Sequence, residues 1–309
     1  FDLVIMDEAS QLKPEDAIGA ICRAKQVVIV GDPMQLPPTR FFERIGDEED
    51  LEEEDAHVAD EAESILDLAQ QVYKPTRMLR WHYRSRHGSL IAFSNKEFYH
   101  NQLVIFPSPI PKSSEYGVKF VHVSNGVYEN HRNIIEARRV IDAAFQHMRH
   151  RPHESLGIVT LNIVQRELIE NEFEKRLKTD PHALRFITAH DKGLEPLFIK
   201  NLENVQGDER DVIYISVTYG PDRYGRVFQR FGPINGPAGH RRLNVLITRA
   251  RKRLVVFSSI LPEQIVINPE SSWGLRALKA YLTYAHTGVL DQATFTGREP
   301  GSDFEIEVA

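Results

Sequence analysis

The sequence predicts an α/β protein with mainly parallel sheets in two domains, and three observations carry that reading. Short, wholly apolar runs recur along the chain, each ends in a polar loop, and helical patterns separate them. Leu3-Val4-Ile5-Met6 runs straight into Asp7-Glu8-Ala9-Ser10-Gln11, and Val27-Val28-Ile29-Val30 into Gly31-Asp32-Pro33-Met34-Gln35-Leu36-Pro37-Pro38. With 309 residues and 41% apolar content, the chain has material for about two cores.

The elements follow in order. Two buried strands come first, with a helix opening at Pro14-Glu15-Asp16 between them, and a further helix runs through Ile65-Leu66-Asp67-Leu68. Lys74-Pro75-Thr76 marks the crossing at about residue 75 into a second domain that extends to about residue 285. Its strands fall near Lys119–Val123, Gly157–Leu161, Val212–Val217 and Leu254–Ser258. Helices over Asn133–His150, Val164–Lys178 and Trp273–Tyr284 accompany them. Residues 286 to 309 read as a linker and the start of a following domain.

Parallel strands aim their carboxyl ends at the ligand crevice, so Asp7 and Glu8 stand where an α/β sheet does its chemistry. One carboxylate can hold Mg²⁺ on a nucleoside triphosphate while its neighbour orients and deprotonates water. An acidic helix N-terminus is the plainer explanation of the pair. Gln35 projects from the next strand's loop beside these acids. Its amide can both donate to and accept from a terminal phosphate, although a Pro-rich turn accounts for the prolines alone.

Further segments extend the pattern: Arg80-Trp81-His82-Tyr83-Arg84-Ser85-Arg86-His87, then Glu203-Asn204-Val205-Gln206-Gly207-Asp208-Glu209-Arg210-Asp211, then Arg241-Arg242-Leu243-Asn244-Val245-Leu246-Ile247-Thr248-Arg249-Ala250-Arg251. With the two strand-end loops, this ordered series resembles the superfamily 1 helicases, and more closely their nonsense-mediated-decay-helicase-like branch with its AAA-type second motor domain. The resemblance implies two RecA-like P-loop NTPase domains, the first incomplete, that use ATP and Mg²⁺ to move on single-stranded or partly duplex nucleic acid, DNA favoured.

The resemblance also assigns residues. Asp7 would bind Mg²⁺, Glu8 would act on the water, and Gln35 would sense the γ-phosphate. Arg84 and Arg249 would reach that phosphate across the interdomain cleft; alone, Arg249 reads more readily as a surface charge among Arg241, Arg242, Arg251, Lys252 and Arg253, and its place in the ordered series reverses that. Gln11, Asp32, Tyr83, Gln206, Gly207, Glu209 and Arg242 would surround the nucleotide, with Tyr83 stacked on adenine. Thr160, Asn162 and Asn204 would meet the nucleic-acid backbone, and Gln165 matches a Gln of the same motif, although Leu161 stands where the family has Pro. A rival reading is a non-catalytic nucleic-acid-binding or scaffolding module that keeps the helicase fold.

A P-loop needs Gly-Lys followed by Ser or Thr, and none of the 18 glycines precedes a Lys. The chain therefore reads as part of a longer protein, and these 309 residues alone are expected to bind ATP poorly and hydrolyse almost none. Its end, Ser302-Asp303-Phe304-Glu305-Ile306-Glu307-Val308-Ala309, resembles the opening of a Vsr-like endonuclease domain, with Glu305 near that domain's first acidic position, which would suit a parent devoted to DNA repair or defence.

The formal charge of −6 conceals two regions. Gly46 to Glu63 holds eleven acidic and no basic side chains, leaving 38 basic against 33 acidic elsewhere, a net +5 suited to a backbone-tracking groove. The acidic run reads as a solvated loop, or as a mimic of nucleic acid that gates the groove. Between Gly220 and Gly239, Arg223, Tyr224, Arg226, Phe228, Arg230 and Phe231 interleave charge and rings. That pattern suits single strands, and suits an ordinary mobile loop equally. Cys22 stands alone, which excludes an intrachain disulfide and points to a reducing, cytoplasmic setting. No apolar stretch approaches the roughly 18 residues of a membrane span. His147, His150 and His153 read as residues of a helix end, and Trp81 and Phe93 as packing residues.

Overall fold

A computed structural model of the chain describes residues 1–38, 64–108, 115–193 and 195–290. The acidic run and the Glu305 segment lie outside the described residues.

The chain opens with β1 (Val4–Met6), α1 (Pro14–Ile21), β2 (Val27–Ile29) and α2 (Ile65–Val72). Pro14 at the first helical position, with Glu15 and Asp16 behind it, starts α1. Ser64 and Asp67 cap α2 reciprocally, each side chain satisfying the other residue's backbone N–H. β1 and β2 pair in parallel, Val4 opposite Val27 through Met6 opposite Ile29. Met6, Ala9, Ala17, Ile65 and Leu66 form a small core of their own. The two apolar runs are less buried than their composition suggests, because Ile5 is 64% exposed and Val28 is also open.

β3 (Trp81–His82), α3 (Ser89–Glu97) and β4 (Val104–Ile105) follow, β3 and β4 forming a short parallel pair. The chain then builds β5 (Gly117–His122), α4 (Ile134–His150), β6 (Leu156–Thr160), α5 (Ile163–Leu177), α6 (Pro181–Lys192), β7 (Phe198–Asn201), β8 (Arg210–Ser216), α7 (Gly239–Ile247), β9 (Ala250–Ser258) and α8 (Trp273–Thr287). The five strands form one sheet in the order β5-β9-β8-β6-β7, and every ladder in it is parallel.

Strand periodicity splits the core in two. Ile213, Ile215, Leu254 and Val256 join α3, α7 and α8 on one face, while Val212, Tyr214, Val255 and Phe257 join α4, α5 and α6 on the other. A sheet covered by helices on both faces needs apolar residues at successive positions, so β8 and β9 carry no polar alternation through these stretches. Phe93 is buried against Phe98 and Tyr281, whereas Trp81 is exposed and touches Phe106 at a centroid distance of 5.1 Å. The packing expectation therefore holds for Phe93, while Trp81, on a two-stranded pair, leans on Phe106 and stays largely exposed. His147 is buried too, its Nε2 2.8 Å from the carbonyl of Glu154, and burial pushes its pKa down to about 4.

Candidate functional site

Where β1 ends, the chain turns sharply. Glu8 takes a left-handed backbone (φ 49°, ψ 37°), a conformation that costs a non-glycine residue free energy, and its carbonyl accepts from Gln11 N at 2.9 Å. The Asp7 carboxylate caps the turn by accepting from Glu8 N at 2.9 Å. Ala9 N bonds to the Val30 carbonyl at 2.9 Å, tying this turn to the end of β2. Both carboxylates thereby stand exposed at the carboxyl edge of the small sheet.

The β2 loop is organised by Asp32. Its Oδ1 accepts from Met34 N at 2.9 Å, and its Oδ2 accepts from Gln35 Nε2 at 3.0 Å and from the Tyr99 hydroxyl at 2.6 Å. Asn244 on α7 donates to both the Tyr99 oxygen and the Met34 carbonyl, each at 2.8 Å. Burial, and after it the Asp32 carboxylate, push the Tyr99 phenol well above its ordinary range, so it stays a neutral donor.

Opposite these loops lie the amino ends of β8 and β9. Gln206 bridges both halves, its Oε1 accepting from Leu36 N at 3.2 Å and its Nε2 donating to Glu8 Oε2 at 3.3 Å. Gln11 Nε2 approaches the same Glu8 oxygen at 3.5 Å. Gly207 follows with φ 84°, a backbone that suits glycine. Glu209 takes Arg84 Nε at 2.6 Å, and Arg251 lies 3.7 Å from its other oxygen.

Arg249, placed just before β9, is only 2% exposed. Its Nε donates to the Val245 carbonyl at 2.8 Å and one terminal nitrogen to Thr248 Oγ1 at 3.0 Å, so its own helix aims the fork. Burial and then the neighbouring Arg84 push its pKa down to about 10, while Tyr99, Glu8 and Glu209 pull the other way. The guanidinium is still charged at neutral pH, and Glu8 on the far side is within its electrostatic reach.

The structure thus brings Glu8, Gln11, Asp32, Gln35, Arg84, Gln206, Glu209 and Arg249 together, with Asp7 adjoining Glu8. Tyr83 is 92% exposed beside them. Arg242 is engaged by Glu203 at 2.7 Å. Thr160 and Asn162 lie at the other edge of the large sheet. The Thr160 hydroxyl is buried and donates to the Asn162 carbonyl at 2.6 Å, while the Asn162 side chain caps α5. Gln165 is buried as well, gripping the Asn133 backbone through both ends of its amide. Asn204 is exposed in a single 3-10 turn. Tyr99 and Asn244 escaped the sequence reading as site residues. Tyr99 lies 67 positions from Asp32 with no periodic signal, although Asn244 stood inside a segment that was singled out.

Carboxylates at the end of one strand pair thus face guanidinium groups set beside a second, parallel sheet. The AAA_12 family profile, described as an AAA domain, matches residues 61–260, and AAA_11, also an AAA domain, matches residues 1–43. An uncharacterized ATP-dependent helicase of Mycoplasma genitalium is 34% identical over 297 residues, covering 94% of this chain and 26% of that protein. Regulator of nonsense transcripts 1 of Dictyostelium discoideum is 25% identical over 84% of this chain and 18% of its own length. Among solved structures, an arterivirus nonstructural protein 10 (helicase) covers 82% of this chain and 38% of that chain at 14% identity, with a TM-score of 0.36.

The chain belongs to the AAA-domain family, in the superfamily 1 helicase branch that includes the regulators of nonsense transcripts. It spans about a quarter of the length of the Mycoplasma relatives it matches.

Proposed function

We propose that this chain forms part of the ATP-hydrolysing engine of a nucleic-acid helicase or translocase acting on single-stranded nucleic acid, DNA favoured. The observation that carries the reading is the convergence at Glu8, which touches Gln206 of the second lobe and lies in the field of Arg249.

The donors fit ATP with Mg²⁺. Among the described residues no cluster of three or more His, Cys, Asp or Glu side chains would cage a metal. Mg²⁺ needs none, since it takes one or two carboxylates and completes its shell with phosphate and water oxygens. Asp7 would supply that carboxylate. The bound ion would neutralise charge between the phosphates. Glu8 would orient the attacking water and take its proton. Arg84 and Arg249 would face the charge that builds on the phosphoryl oxygens, a role worth about 10³–10⁵ in rate. Gln35, held by Asp32, would change partners when the terminal phosphate leaves, and the Tyr99–Asn244 bridge would pass that change to α7.

The test is ATP turnover, with and without single-stranded DNA, by a polypeptide that carries this chain together with a Gly-Lys-Thr phosphate loop. Glu8→Gln should reduce turnover by at least about a hundredfold while nucleotide binding persists. Equal rates would end the motor reading. With no Gly-Lys pair in its sequence, the chain alone should bind ATP poorly and turn over almost none.

A further inference from the structure

At the carboxyl edge of the five-stranded sheet, away from the acids and arginines, the segment after β8 folds into a tight exposed hairpin. Pro221 and Val227 bridge antiparallel, Asp222 N donates to the Arg226 carbonyl at 2.9 Å, and Gly225 N donates to the Asp222 carbonyl at 2.9 Å. Asp222 holds the tip from within. Its Oδ1 accepts from Tyr224 N at 2.8 Å and Arg226 N at 2.9 Å, and its Oδ2 accepts from the Arg226 guanidinium at 2.8 and 2.9 Å. Gly225 supplies the positive φ of 80° that closes the turn.

The tip presents rings and guanidinium groups to solvent. Tyr224 is 74% and Phe228 54% exposed, values that no packing role explains. Arg226 lies 5.3 Å from the Tyr224 ring centre and 5.6 Å from that of Phe228, and Arg223 lies 5.8 Å from Tyr224. A mobile loop would not be built this way. Asp222 holds the Arg226 guanidinium and Glu129 holds that of Arg223, so part of the ordering a flat ligand on the rings would need is already in place.

The base under the hairpin is equally fixed. Buried Glu136 accepts from Ser216 Oγ at 2.6 Å, Thr218 N at 2.6 Å and Ser259 Oγ at 2.7 Å. Asn133 Nδ2 holds the Thr218 carbonyl at 3.2 Å, and Thr218 itself takes a left-handed backbone with φ 72°. Outside, Arg223 pairs with Glu129 at 2.8 Å and Tyr128 N donates to the Pro221 carbonyl at 2.9 Å. Asn162 at the start of α5 donates to the His131 carbonyl at 3.0 Å. The hairpin, the 128–132 loop and the start of α5 thus form one rim.

We infer that this rim is a stacking platform for single-stranded nucleic acid, with Tyr224 receiving a base and Arg223 and Arg226 flanking the sugar-phosphate chain. Single strands offer an apolar ring face and an anionic backbone at once, which is the complement of alternating rings and guanidinium groups. Residues 128–132 and 220–231 together carry four arginines against two acids, a net +2 in a chain whose total is −6. The inference rests on the motor reading and adds to it a contact residue outside the nucleotide cleft.

Fluorescence anisotropy with this chain and labelled 20-nucleotide oligo(dT), oligo(rU) and an abasic strand of equal length tests it. Tyr224→Ala should weaken binding of the base-bearing strands by about tenfold and leave the abasic strand unchanged, because stacking contributes about 1–3 kcal/mol per base. Tyr224→Phe should bind within about twofold of the parent. Replacing Arg223 and Arg226 together by Gln should weaken all three strands and flatten the salt dependence by up to about 1.4 in the log–log slope. Preference for dT or rU supports the platform either way and assigns the sugar. Unchanged affinity in both Tyr224→Ala and the double Gln variant would overturn it, with unchanged melting temperatures excluding misfolding. A parent that binds none of the strands overturns it too, and the Glu8→Gln turnover comparison then decides separately whether the motor reading stands.

Discussion

Gln206 Nε2 donates to Glu8 Oε2 at 3.3 Å, so the carboxylate at the end of β1 is held by the loop that begins β8. The same Gln takes Leu36 N, so one side chain reads the positions of both strand-end loops. Gln206→Ala should lower nucleic-acid-stimulated ATP turnover by about ten- to a hundredfold, the range set by one hydrogen bond to a charged group. Steady-state kinetics on the complete polypeptide would check it, and an unaltered kcat would remove Gln206 from the cycle.

Arg249 tests the guanidinium side. Its Nε and a terminal nitrogen are fixed by Val245 and Thr248 in one rigid fork, which an ammonium group cannot reproduce. Arg249→Lys and Arg249→Ala should both lose about 10³ or more in turnover. The chain should still fold, because Thr248 Oγ1 keeps its bonds to the Asn244 and Val245 carbonyls.

Tyr99→Phe removes the hydroxyl shared by Asp32 and Asn244. The cost should be about 1–3 kcal/mol, read as a lower urea midpoint with the slope unchanged. Gln35 loses no direct bond, so a drop in turnover larger than the drop in stability would locate Tyr99 in the coupling between strand loop and α7.

Two buried groups set opposing pH trends. His147 is neutral in the fold down to about pH 4, whereas the unfolded imidazole protonates below about 6.5. The unfolded chain therefore binds more protons in that window, and stability rises with pH across it. Burial pushes Glu136 up to about 7 against the hydrogen bonds it accepts. From 4.5 to 7 the folded chain holds the extra proton, so this group lowers stability as pH rises. Urea midpoints measured from pH 4 to 8 should show His147→Gln flattening the acid-side rise. Glu136→Gln should remove the fall that this group contributes between about pH 4.5 and 7, whatever its effect on the overall level.

The sequence displayed the parts of this molecule that depend on local composition. β8 and β9 were legible because Val212 through Ile215 and Leu254 through Phe257 are buried on both faces and so run without a charged or small polar residue. α4, α5 and α8 were legible from their periodicity and caps. β7 was not, since Phe198-Ile199-Lys200-Asn201 is a short edge strand with a charge in its middle. α7 was read as a motif and not as a helix, because its arginines and His240 hide the apolar positions Leu243, Leu246 and Ile247. In the site, residues carrying charge at strand ends could be read singly. The Asp32–Tyr99–Asn244 bridge could not, because it joins three distant segments through tertiary packing alone.

The open face of the β1–β2 pair has a practical corollary at the bench. Phe1, Leu3, Ile5 and Val28 give water a contiguous oily surface on this small pair. Concentrated preparations should scatter light and elute early from a sizing column. A single Ile5→Lys exchange should keep them clear, which would make that variant the better starting material for crystals.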